Sequence, residues 1–113
     1  MLTANVTVVT TGRYGVGMVE SVARVVTDQP GRYLKQIVSH LGHKRTTWVD
    51  RDGSGVVDFG SGRCTLTAQA GVLLLSASAP DATELDHVRD VLGRHLERFG
   101  SREGLRVTWS NPA

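Results

Sequence analysis

Four strand-like segments follow one another between residues 46 and 79, joined by links that leave room only for hairpins. Thr46 to Asp50 and Val56 to Phe59 flank Arg51-Asp52-Gly53-Ser54-Gly55, a run with the chemistry of a tight turn. Arg63 to Gln69 alternates, with Cys64, Leu66 and Ala68 on one face and Arg63, Thr65, Thr67 and Gln69 on the other, and Gly71 separates it from Val72 to Ala79. Parallel neighbours need a crossover of about a dozen residues or more. None fits here, so the spacing predicts an antiparallel meander.

Each end of the meander is bordered by a helical pattern. Upstream, the β-branched run Val22 to Thr27 reads as a strand, Asp28 as an N-cap and Pro30 as a first-turn residue whose missing N–H costs nothing. Tyr33, Leu34, Ile37, Val38 and Leu41 then form one apolar stripe opposite Arg32, Lys35 and Ser39, and Gly42 is placed for a left-handed helix end. Downstream, Asp81 and Glu84 approximate a capping box for a helix buried through Leu85, Val88, Leu92, Leu96 and Phe99. Gly100 ends it, and Leu105 to Trp109 alternates as a last strand. The order is β-α-β-β-β-β-α-β. It predicts an α+β two-layer sandwich with both helices on one face of an antiparallel sheet. A TATA-box-binding-protein-like arrangement fits this order. A ferredoxin-like one is the runner-up, and it requires one middle strand to be missing.

At 113 residues the chain is the size of one domain. Residues 18–113 carry the readable pattern, and 1–17, where Gly12, Gly15 and Gly17 interrupt a Val/Thr run, read as an N-terminal extension. The formal charge of +2 is spread along the chain, which argues against nucleic acid. Cys64 is the single cysteine, so no internal disulfide forms, and a reducing, cytoplasmic setting is expected. Neither a membrane span nor a signal peptide is expected.

Two motifs resemble sites without completing them. Asp50 to Ser61 places oxygen ligands and a glycine as an EF-hand loop does, but its twelfth position is Ser61 instead of a bidentate Glu, and its flanks read as strands. A hairpin turn is expected there. Thr11 to Gly17 has the glycines of a phosphate loop without the flanking strand, helix or Gly-Lys-Ser/Thr end.

The histidines carry the remaining site chemistry. His40 and His43 stand at the end of the first helix and His95 beside the stripe of the second. Side-by-side helices would gather His40, His43 and His95 into nitrogen ligands for a transition metal or haem. The plainer expectation is that the helix dipole and free carbonyls explain the pair at the helix end and that Gly42 breaks its register, leaving no cofactor. His87 sits among polar residues and reads as solvated. Cys64, inside a strand, has no base beside it, and Ser39 and His40 point about 100° apart on a helix. No catalytic residues are assigned, and a non-enzymatic domain is expected. Val72 and Leu74 lie opposite Leu73 and Leu75, so one set should face away from the helices and meet a partner: a second copy or another protein.

The segments SARVVTDQPGRYLKQIVSHLGHK, GRCTLTA and VLLLSASAPDATELDHVRDVLGRHLERFGSREGLRVTW resemble a small bacterial domain family of unassigned function, from about Ser21 to Trp109. Its members are found alone or fused to siderophore-interacting, FAD-dependent ferric reductases. The resemblance implies an accessory role in iron or siderophore metabolism beside a flavoprotein reductase. It transfers no site residues.

Overall fold

The computed structural model describes residues 18–110 and, of the preceding stretch, the strand at residues 7–9. Its elements are β1 (Thr7–Val9), β2 (Met18–Val26), α1 (Pro30–Leu41), β3 (Thr46–Val49), β4 (Gly55–Asp58), β5 (Arg63–Gln69), β6 (Val72–Ala79), α2 (Ala82–Phe99), a 3₁₀ turn (Ser101–Glu103) and β7 (Trp109–Ser110). The sheet runs β1-β2-β6-β5-β4-β3, and β7 also pairs with β2. Every pairing is antiparallel. The four middle strands are all present, and β2 closes beside the last of them. This is the two-layer α+β sandwich that the element order predicts, in the first of its two arrangements.

Alternation decides the core. Along β2, Val19, Ser21, Ala23 and Val25 face the helices; their cross-strand partners on β6 are Ala79, Ala77, Leu75 and Leu73. Leu66 and Cys64 continue the layer into β5, opposite Leu75 and Ala77, and Val57 into β4, opposite Cys64. Tyr33, Leu34, Ile37 and Leu41 of α1 and Leu85, Val88, Leu92 and Leu96 of α2 close it from the other side. Each fully buried Leu or Ile contributes on the order of 1.5–3 kcal/mol of transfer free energy. Gly55 lets α1 approach, since a Cβ there would stand 2.8 Å from Val38 and 3.0 Å from Leu34.

Four local details differ from the sequence expectations. The N-cap of α1 is Gln29 instead of Asp28 and has no side-chain cap; its own N–H donates to Thr27 Oγ1 at 3.1 Å. Gly42 is right-handed, at φ −63 and ψ −15. Its glycine is required by crowding: a Cβ would meet Thr47 Oγ1 at 2.9 Å, and that hydroxyl donates to Val38 O at 3.0 Å. At α2, Asp81 accepts from Glu84 N at 2.8 Å, but Glu84 accepts from Ser61 Oγ at 2.6 Å and so makes only half of a capping box. Finally, only Trp109–Ser110 of the last segment is strand. It pairs with Ala23 and Val22, while β1 holds the same edge at Met18 to Glu20. Leu105 and Val107 instead pack along α2, where Val107 N donates to Glu97 Oε2 at 3.0 Å.

The Asp50–Ser54 segment is the expected hairpin turn. Asp50 N donates to Ser54 O at 2.8 Å, and Gly53 has φ +89. The glycines of Thr11 to Gly17 lie outside the described residues, as does the rest of the 1–17 stretch apart from β1. Among the described residues, no helix is long and apolar enough to cross a membrane.

Candidate functional site on the open sheet face

The face turned away from the helices is ordered by strand register into rows. One row crosses four strands as Glu20, Ser78, Arg63 and Asp58. The next reads Val22, Ser76, Thr65, Val56 and Trp48. Adjacent strands stand about 4.8 Å apart, so acid, hydroxyl, base and acid follow one another across roughly 15 Å of sheet. These two rows border a concavity of ≈ 530 Å³ whose rim includes the β4–β5 turn at Gly60 to Gly62.

Arg63 organises this concavity. Its guanidinium is 3.2 Å from Asp58 Oδ2 and lies over the Trp48 ring at 5.3 Å from the centroid. Trp48 is held in turn by its Nε1–H, which donates to Asp50 Oδ1 at 3.0 Å. Cation–π contact and charge-assisted bonding thus fix a side chain that is still 46% exposed. Three carboxylates, Glu20, Asp50 and Asp58, line the concavity against this one guanidinium.

A further apolar part of the open face lies beyond these rows. Val26 and Val72 face each other, with Leu74 opposite Arg24. Val26 is 80% exposed, Leu74 half-buried, and Val72 only 5% exposed. The most exposed apolar side chain of the open face, Val26, thus lies at one end of the sheet, and Ser76 and Thr65 interrupt the apolar residues of its middle row.

The second concavity, ≈ 590 Å³, lies between α2 and the last strand. Two arginines border it, and both are engaged within α2, Arg89 by Asp86 and Arg94 by Asp90.

The predicted ligand histidines are divided by the fold. His40, exposed in the last turn of α1, and His95, half-buried on α2, have ring centroids 5.1 Å apart with an interplanar angle of 50°. Phe99 packs against both, at 5.3 Å from His40 and 6.1 Å from His95. His95 Nδ1 is 2.7 Å from Val91 O. His43 sits beyond the end of α1 with its N–H donating to His40 O at 3.4 Å, and its side chain is exposed. Among the described residues, no three of His, Cys, Asp and Glu converge to hold a metal. His87 is exposed with Phe59 edge-on at 5.7 Å, and Arg45 covers that ring at 4.4 Å.

The groups that could do chemistry alone are restrained by their surroundings. Cys64 is fully buried, and burial pushes its thiol up to about 12, so it stays protonated and out of reach. Tyr33 donates to Glu103 Oε1, and that bond, together with burial, raises its pKa. Thr27 donates to the same oxygen at 3.1 Å, so the trio ties α1 and the end of β2 to the 3₁₀ turn. Asp52 is held below the usual carboxylate range by the Ser54 N–H at 2.9 Å, then by the Ser54 side chain. With Asp50 bonded to Trp48 and Asp52 to Ser54, the acidic turn uses these oxygens to shape its own hairpin.

Residues 22–110 match the family described as uncharacterized protein conserved in bacteria, DUF2218. The chain belongs to this bacterial family. Among solved structures it is similar to the NMR structure of PA4090 from Pseudomonas aeruginosa, with a TM-score of 0.69 and 32% identity over 83% of this chain and 96% of that one. A comparison with curated proteins finds no match. The family match begins within β2 and ends in β7, so it spans both helices and the whole meander.

Trp48, Arg63 and Glu20 belong to no site motif in the sequence, and Asp58 enters only as the ninth position of the incomplete EF-hand pattern. A signal for two of them was present: Asp58 and Arg63 flank the short turn at Phe59 to Gly62, so a hairpin places them opposite each other. No comparable signal joins Glu20 to Arg63, because that neighbourhood arises only when β2 closes on β6.

Proposed function

We propose that this chain is a non-enzymatic binding domain whose binding surface is the polar end of the open sheet face. The single observation that carries this reading is the register row Glu20–Ser78–Arg63–Asp58 bordering a concavity with Trp48 at its side. Fixed donors and acceptors on strands form a rigid recognition surface, and an aromatic with an arginine is the composition typical of binding hot spots. The protonated Cys64, enclosed in the core, supports a role without covalent catalysis. The partner we infer is a siderophore-interacting, FAD-dependent ferric reductase, which would make the domain an accessory of iron metabolism. That inference rests on the family resemblance described above.

The test is direct binding of a purified reductase of that type to the immobilised full chain. Micromolar or tighter association, reduced about tenfold or more by Trp48→Ala and by Arg63→Glu, is the expected result, since residues at such centres carry more than ~1–2 kcal/mol. Equal binding by both variants would refute the location, and no binding by the native chain would refute the partner. Light scattering on the same samples separates self-association through this face: a dimer disrupted by Arg63→Glu would assign the surface to a second copy.

A further inference from the structure

We propose that His40 and His95 together hold one divalent late transition-metal ion, of the zinc, nickel or copper type, which clips α1 to α2. This site lies at the helix seam and is independent of the open-face reading. Its basis is the spacing of the two rings. An imidazole nitrogen binds such a metal at about 2.0–2.1 Å, which puts the metal about 3.2 Å from the ring centre; two rings at a tetrahedral angle then stand about 5.2 Å apart. The observed separation is 5.1 Å. A haem iron would instead hold its two axial imidazoles about 6.4 Å apart on opposite sides of a macrocycle. Phe99 packs edge-on against both rings, at 5.3 Å from His40 and 6.1 Å from His95.

The hydrogen bond of His95 gives the second, independent argument. A histidine Nδ1 that meets a backbone carbonyl carries the proton, and here it donates to Val91 O at 2.7 Å. This fixes the tautomer and leaves Nε2 with its lone pair, the outer-shell arrangement that orients metal-binding histidines. His40 supplies the other nitrogen from the last turn of α1, where the exposed carbonyl ends of the helix favour a cation. His43 takes no part, because the chain has left the helix at Leu41 and turns through Gly42. With two protein ligands, water completes the coordination sphere. The site is therefore weaker than a structural three- or four-ligand centre, and it is one the protein can load and release.

The test is titration of the tag-free full chain with zinc chloride, and separately with nickel chloride, read by calorimetry and by nitrogen-15 spectra of the histidine rings. Expected are one ion per chain, selective perturbation of the His40 and His95 rings, and a zinc-dependent rise in melting temperature. His40→Gln and His95→Gln should each weaken binding about tenfold or more and abolish the zinc-dependent rise, with His43→Gln and His87→Gln unchanged. A His43→Gln loss equal to that of His40→Gln would overturn the two-histidine site, and so would zinc leaving both rings unperturbed. Melting each variant without metal separates a loss of packing against Phe99 from a loss of binding, since only the latter removes the response to zinc.

Discussion

On the helix side, β6 presents Leu73, Leu75, Ala77 and Ala79, all closed off from solvent; on the open side the same strand presents Leu74, Ser76 and Ser78, at least partly accessible. Successive residues of one strand thus serve two purposes in alternation. The inner set is selected for volume, because interiors are packed as densely as organic crystals and tolerate neither gaps nor extra methylenes. The outer set is selected for hydrogen-bonding chemistry and position. Stability should therefore be concentrated on the inner face and recognition on the outer one.

The largest expected effect comes from emptying the inner face. Leu75→Ala should lower unfolding free energy by about 2–5 kcal/mol, and Thr65→Ala, on the open face, by less than about 0.5 kcal/mol, both read by urea unfolding. Similar losses at the two positions would break the comparison.

Alkaline titration tests the same enclosure through Cys64. Its folded pKa is raised from 9.0 to about 12, so the contribution is fully present below pH 9.0, where the thiol is protonated folded or unfolded, and is lost as pH rises toward about 12. The raised pKa of Tyr33 acts in the same direction. Unfolding free energy measured between pH 7 and pH 11 should be flat and then fall, with the decline reduced in Cys64→Ala. Native Cys64 should also resist a thiol reagent at pH 8 that labels the unfolded chain promptly. Rapid native labelling would show that the inner face opens.

Crowding at the helix–sheet contact should register next. Gly55→Val places methyl groups into Leu34 and Val38 and should cost about 1–3 kcal/mol, whereas Gly53→Ala, with open space around it, pays only for its positive φ. Asp81→Ala removes the one side-chain cap of α2 and should cost about 0.5–2 kcal/mol. Arg63→Ala, on the open face like Thr65→Ala, should change stability by no more than about 1 kcal/mol, because its ion pair with Asp58 is largely solvent-exposed. If Arg63→Ala destabilises as much as Leu75→Ala, the open face is structural and the division between the two faces fails.

Much of this architecture is legible in local patterns. The stripe Tyr33, Leu34, Ile37 and Leu41 and the stripe Leu85, Val88, Leu92 and Leu96 are buried as their 3.6-residue spacing implies. The hairpin at Asp50 to Ser54 follows from its turn residues. The last strand is shorter than its pattern predicts because Leu105 and Val107 alternate for packing against α2, and alternation alone does not distinguish that from sheet pairing. Gly42 stands at the helix end as its position predicts, but the crowding that requires a glycine there comes from Thr47 in a separate element.

The sequence by itself determined the order of elements from β2 to α2, the antiparallel meander and the burial of two helical stripes, because short links, turn residues and side-chain periodicity act over a few neighbouring residues. Only the tertiary structure decided that Glu20, Ser78, Arg63 and Asp58 stand in one row and that His40 meets His95 and not His43. Those neighbourhoods join residues far apart along the chain. They depend on strand register and on how the two helices settle over the sheet, and packing fixes both only when the whole core closes.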